Sequence, residues 1–198
     1  MQLTKMLVPA AIACAILSGQ ALAVDIIPPA ASDNTVTFAG QVSDSTCVMS
    51  INGQKVKPIV LLPTVPVSDF GATGSKTGTT DFIVSVSDCT LYEPAPARAM
   101  ADGKTVSTVF VAHEVEDTHL QNTMTSASGG AKNIHINIMD TLDRDINFSE
   151  PFHGHNDLKI KGNIATATYK AQYVSHAPAD EVSSGYVRAS MQYALSYD

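Results

Sequence analysis

Residues 187–197 carry the tightest constraint on the fold. Val187, Ala189, Met191, Tyr193, Leu195 and Tyr197 alternate with Arg188, Ser190, Gln192 and Ser196, so six apolar side chains occupy every second position without a break. A period of two places them on one face of a strand, and no helix would bury them together. A long strand with one buried face is predicted from Val187 to Tyr197. Such a strand needs neighbours along its edges and a second layer against its apolar face.

The rest of the chain supplies those layers as short strands. Val36–Val42 alternates, with Val36, Phe38, Gly40 and Val42 on one face. Val56–Val67 is apolar but holds Pro58, Pro63 and Pro66, which suits an irregular or edge segment because proline cannot donate to a ladder. Gly71–Gly78 reads as a loop, Asp81–Ser87 as a strand running into Cys89, and Glu93–Gly103 as a Pro/Ala connection. Strand patterns resume over Val106–Val115 and at Ile134, Ile136 and Ile138, with Asp140–Asp145 as a turn. Lys159–Ile164 and Ala165–Val174 read as two more extended segments. Short strands at close intervals with no helical period indicate an all-β sandwich.

Met1–Ala23 has the layout of a secretory signal peptide. Lys5 precedes an apolar run over Met6–Leu17, and Ala21-Leu22-Ala23 forms a small-x-small cleavage site. An apolar run of about a dozen residues is too short to span a bilayer core. A lipoprotein reading would use Ala11-Ile12-Ala13-Cys14, which lacks a large apolar residue at its first position. Removal of the signal takes Cys14 with it and leaves Cys47 and Cys89, 42 positions apart. An even pair in an exported chain is most simply a disulfide, and closing such a loop stabilises by roughly 4 kcal/mol in the chain-entropy account.

Charge and motif content exclude several classes. With 12 Lys+Arg against 19 Asp+Glu and a net charge of −7, the chain lacks the basic face that nucleic acid requires. His153-Gly154-His155, with Asp157 nearby, is the one close histidine pair, and it reads as a solvated loop because zinc needs three or four ligands with outer support. His113, His119, His135 and His176 stand singly in the sequence. Asp140, Asp143 and Asp145 lack the spacing and closing Glu of a calcium loop and read as a polar hairpin turn. No H-E-x-x-H, G-x-S-x-G or P-loop occurs, so no enzyme, metal or cofactor is expected.

Val24–Thr35, with Pro28 and Pro29, precedes the first good strand. One reading is a frayed start. The other joins it to Val36–Val42 as an arm meant for another molecule's sheet edge. Gly40 likewise has two readings: a close backbone approach on a donated strand, or a bend within the protein's own first strand.

Several motifs in order resemble the subunits of chaperone–usher fimbriae, particularly the type 1 class. Phe38-Ala39-Gly40-Gln41-Val42 with Cys47 five residues on is similar to that family's opening F-x-G-x-V-x₄-C. Ser87-Asp88-Cys89 resembles its second half-cystine, and Ala131–Asp140 its A-x-N-(V/I)-x-(V/I)-x-(I/L)-x-D segment. Tyr169–Tyr173 is similar to its strand before the last loop. Gly185, fourteenth from the C-terminus, and penultimate Tyr197 match its terminal signature.

The resemblance implies an incomplete immunoglobulin-like β-sandwich lacking its final strand, completed in trans by a donor strand. It divides the chain into a signal peptide (1–23), a donor-strand extension (24–39) and a pilin domain (40–198). Val36, Phe38, Gly40 and Val42 become the donor residues. Val187, Ala189, Met191, Tyr193, Leu195 and Tyr197 become the C-terminal strand of the acceptor groove, and Asp198 supplies the terminal carboxylate that anchors to a chaperone. The implied partners are a periplasmic chaperone, an outer-membrane usher and neighbouring subunits, and the implied destination is the bacterial cell surface, with a part in adhesion. A length of 198 residues is below that expected of the two-domain tip adhesins of such systems. From another class, a self-contained periplasmic sandwich that binds a carbohydrate or small ligand stays open, although Trp, the usual sugar-stacking residue, is absent.

Overall fold

A computed structural model describes Val42 and residues 45–91 and 98–197. The signal-peptide reading at 1–23, the donor residues Val36, Phe38 and Gly40, and Asp198 lie outside these described residues. In chain order the strands are β1 (Ser45–Ile51), β2 (Lys76–Leu91), β3 (Arg98–Ala99), β4 (Thr105–Ala112), β5 (Val115–Glu116), β6 (His119–Leu120), β7 (Ile134–Met139), β8 (Phe152–His153), β9 (Leu158–Lys159), β10 (Ala165–Ser175) and β11 (Met191–Tyr197). No helix is long and apolar enough to cross a membrane among the described residues.

The strands form two antiparallel sheets of unequal width. The wider has seven strands in the order β1-β2-β10-β7-β6-β5, with β3 also on β2. The narrower has four, in the order β11-β4-β8, with β9 also on β4. Apolar residues at alternate positions face inward from both. Phe82, Val84 and Val86 of β2 and Tyr169 of β10 meet Val106 and Phe110 of β4, all essentially inaccessible to water. Phe110 lies edge-on to Tyr169 with ring centroids 5.0 Å apart, an arrangement that adds to simple area burial. The disulfide joins Cys47 to Cys89 across the β1–β2 pair, beside a register shift between Thr46 and Val48.

One polar strut crosses this core. The Tyr169 hydroxyl donates to Asp157 Oδ2 at 2.6 Å, and Thr108 of β4 donates its hydroxyl to Oδ2 at 2.7 Å and its backbone N–H to Oδ1 at 2.8 Å. A residue of the wider sheet and one of the narrower therefore share a single carboxylate. Burial, and then the bond to Asp157, push the Tyr169 phenol pKa far above its ordinary range, so it stays a donor. Gly154 leaves room for the strut: a Cβ there would lie 2.5 Å from Asp157 Oδ1 and 2.8 Å from the Tyr169 oxygen. Asp157 is thus committed to this strut, while His153 and His155 both point to solvent.

Three expectations from the sequence need correction. The last strand begins at Met191, not Val187, because its partner β4 ends opposite it at Ala112. Beyond that point Arg188 instead donates its N–H to Asn122 Oδ1 and accepts at its carbonyl from the Thr123 N–H. Lys159–Ile164 is mostly a turn, with Gly162 and Asn163 both at positive φ and a bridge between Lys161 and Ile164. The strand expected at Asp81–Ser87 is longer, since β10 pairs with β2 from Val86 down to Lys76.

The Asp140–Asp145 turn is built on Asp140, whose Oδ1 accepts from the N–H groups of Leu142 and Arg144 while Arg144 Nε donates to Oδ2. Burial opposes ionisation of Asp140, but these bonds outweigh it and hold its pKa below the ordinary value. Asp143 pairs with Lys170 and Asp145 with Lys76.

Replacing Tyr169 with Phe removes one hydrogen bond to a charged acceptor and leaves the ring packing in place. We expect a loss of about 1.5–3 kcal/mol, read as a lower urea midpoint with an unchanged slope. An unchanged midpoint would show that the strut contributes nothing to stability.

Candidate functional site

The four-stranded sheet is too narrow to cover the inner face of the seven-stranded one. Beside β11 that shortfall becomes a groove of about 790 Å³. Its floor is the inner face of the wider sheet, including Phe82, Leu120, Ile136, Ile138, Ala171 and Tyr173. One wall is the segment 57–62, and the other runs from Val187 through Ala189 and Met191 to Tyr193.

Both walls follow from local sequence. Pro58 and Pro63 keep their segment extended and outside any ladder. Alternation then turns Pro58, Val60 and Leu62 inward and leaves Ile59 and Leu61 exposed, at 66% and 81%. On the other side Val187, Ala189, Met191, Tyr193, Leu195 and Tyr197 are all half-buried, and none reaches the full burial of core residues such as Val84. Leu195 and Tyr197 pack on the core beyond the groove. The Tyr197 hydroxyl accepts the Cys47 N–H at 2.7 Å, which ties the end of β11 to the start of β1.

Backbone groups matter here as much as side chains. Among the described residues β11 is the last strand of its sheet, and its ladder partners lie on β4. The groove runs beside this strand. Its charged lining residues are Lys57 and Arg188, and no acidic side chain lines it among the described residues. Burial raises the pKa of Tyr173 on the floor, so that phenol is neutral at physiological pH.

The approach to β11 is fixed by a close backbone crossing. The Ala131 N–H donates to the Tyr186 carbonyl at 2.9 Å, and the Tyr186 N–H to the Gly129 carbonyl at 2.8 Å. A Cβ on Gly185 would stand 2.4 Å from the Ala131 nitrogen and 2.5 Å from the Gly130 carbonyl carbon. Only glycine lets these two segments pass at this distance and deliver Val187 to the groove wall.

Of the residues singled out from the sequence, Val42 is fully exposed and takes no part in the groove. A group that sequence reading treated as isolated comes together elsewhere. His119, His135 and His176 converge with Glu116 on the outer side of the wider sheet, where His176 Nε2 lies 3.0 Å from His119 Nδ1. Strand register (Val174 opposite His135, Glu116 opposite His119) makes that contact, and nothing in their spacing along the chain signals it.

The described residues thus form a two-sheet antiparallel sandwich with an apolar trough beside its last strand. The family model described as "Fimbrial protein" matches residues 36–198, and the chain belongs to that family. It is 26% identical to the long polar fimbria protein A of Salmonella typhimurium over 196 residues, covering 99% of this chain and 98% of the relative. It is 27% identical to a probable major fimbrial subunit, LpfA, of Escherichia coli O157:H7, covering 98% and 97%. Among solved structures, the P pilus rod subunit PapA matches with a TM-score of 0.55 at 15% identity, covering 76% of this chain and 99% of that one. A chaperone–usher pilus structure matches with a TM-score of 0.54 at 17% identity, covering 86% and 98%. The fold is immunoglobulin-like, and the protein is a structural subunit of a surface fimbria, not an enzyme.

Gly185→Ala forces the 185–190 segment away from Gly130 and Ala131. Overpacking of this kind costs about 1–3 kcal/mol. We expect a melting temperature lower by several degrees, since each kcal/mol is worth about 2–4 °C in a domain of this size. A fully stable variant would mean that the crossing does not position the groove wall.

Proposed function

We propose that this subunit polymerises by donor-strand exchange in a chaperone–usher fimbria, with the groove beside β11 as the acceptor. The observation that carries the reading is an apolar trough that runs beside β11, the last strand of its sheet among the described residues. A small ligand or sugar asks for a few convergent polar groups in a concave site. Here the lining is mostly apolar, and among the described residues β11 has ladder partners on β4 alone, so the site suits an added strand with side chains for alternate pockets.

In this reading residues 1–23 are a signal peptide that sends the chain to the periplasm, residues 24–39 are the donor extension, and 40–198 are the pilin domain. Val36, Phe38 and Val42 enter a neighbour's groove, with Gly40 where the backbones come closest. Full exposure of Val42 supports this, since a strand-pattern valine left in water is available to another molecule. Burying the three side chains contributes about 1.5–3 kcal/mol each, roughly 5–9 kcal/mol together. A domain of this size has only about 5–15 kcal/mol of stability, so a donor is close to obligatory. A periplasmic chaperone lends a strand first, anchoring the terminal carboxylate of Asp198, and the usher oversees its replacement by the next subunit.

The test is a thermal melt of protein lacking residues 24–37, with and without a peptide spanning Val24–Ser45. A large peptide-dependent rise in melting temperature is expected. An identical cooperative melt in both cases would identify a complete domain and favour the ligand-binding alternative. In the full chain, Gly40→Leu should block polymerisation and leave chaperone binding intact, and normal fibres from that variant would remove Gly40 from the donor role.

A further inference from the structure

We propose that Glu116, His135 and His176 form a binding site for a divalent transition metal of the zinc class, on the face of the sandwich opposite the groove. The site draws on β5, on β7 and on the residue that follows β10, so one ion would tie together separate strands of the wider sheet. It is independent of the donor-strand reading.

The geometry matches the chemistry. One ligand atom from each of the three residues lies within 4.8 Å of the others. Glu116 Oε2 is 3.6 Å from His135 Nε2, and Oε1 is 3.8 Å from His176 Nδ1. Metal–ligand bonds of 2.0–2.2 Å in a tetrahedron put ligand atoms roughly 3.3 Å apart, so modest side-chain movement closes the set. Glu116 is half-exposed and can make that movement. Asp117 Oδ2, 3.7 Å from His176 Nδ1, stands ready for the fourth position.

A second observation points the same way. His135 is only 5% exposed, and its Nδ1 is buried without a hydrogen-bond partner among the described residues. Its other nitrogen faces Glu116 beyond hydrogen-bond range. A buried imidazole so poorly satisfied is costly, and an ion at Nε2 would give a partner to the nitrogen that faces Glu116.

His119 takes a positioning role. A metal on His176 Nδ1 leaves the proton on Nε2, which donates to His119 Nδ1 at 3.0 Å and fixes the ring.

Cobalt(II) titration of the chelator-treated full chain tests this. The expected result is one ion per chain, with the visible absorption of four-coordinate cobalt, and displacement by zinc. Glu116→Gln and His176→Gln should abolish binding, while His119→Gln should weaken it about 10- to 100-fold without changing the melting temperature in chelator. Should His176→Gln fail to fold, Glu116→Gln, altered at a half-exposed side chain, carries the test. His153→Gln/His155→Gln should bind as the wild type does. Absence of saturable binding at micromolar cobalt, binding that survives Glu116→Gln, or binding lost in His153→Gln/His155→Gln would each overturn the proposal.

Discussion

A sheet of four strands lies over a sheet of seven, and most of what distinguishes this molecule depends on that mismatch. At β11, the last strand of the narrower sheet among the described residues, two features sit side by side: a strand with ladder partners on β4 alone, and an apolar floor that the narrower sheet does not cover. Either alone could be met by a local device, a charged edge residue in the first case or a larger side chain in the second. Together they describe the shape of one strand. The prolines at 58 and 63 sharpen the arrangement, because they hold the opposite wall in place and deny it the ladder that would close the gap.

Away from the groove the sandwich is well provided for. The aromatic group around Phe110 and the Asp157 strut bind the two sheets, and the acidic turn at 140–145 is held by its own backbone bonds and by two lysines. Burial is therefore uneven, complete between the two sheets and partial along the groove face of β11, the side a partner would finish.

The sequence disclosed what period and punctuation can disclose. Alternation from Val187 to Tyr197 marked one half-buried face, of which Val187, Ala189, Met191 and Tyr193 line the groove, and Cys47 and Cys89 are bonded as their pairing suggested. Where β11 begins was hidden, because it depends on where β4 stops, at Ala112, and on Asn122 and Thr123 taking up Arg188. The histidine cluster was hidden for a similar reason. Alternation puts His135 on the outer face, which suggests solvent, yet His176 and Glu116 close over it from neighbouring strands. Cross-strand register is a property of the folded pair, and spacing along one chain does not report it. Gly185 shows the intermediate case: its place near the C-terminus was legible as a signature, while the backbone crossing that demands it was not.

The bond between Cys47 and Cys89 bears on how the domain would carry load. A strand pulled from its free end normally peels, giving up ladder bonds one after another at low force. A pull entering ahead of Ser45 reaches Cys47 after only two residues of β1 and passes through a covalent link into β2. From there it spreads along the β2–β10 pairing, which runs from Val86–Ala165 to Lys76–Val174. Those bonds would have to fail as a group. The disulfide thus turns β1 from a zipper into a tether, and places mechanical resistance in the longest strand pairing among the described residues.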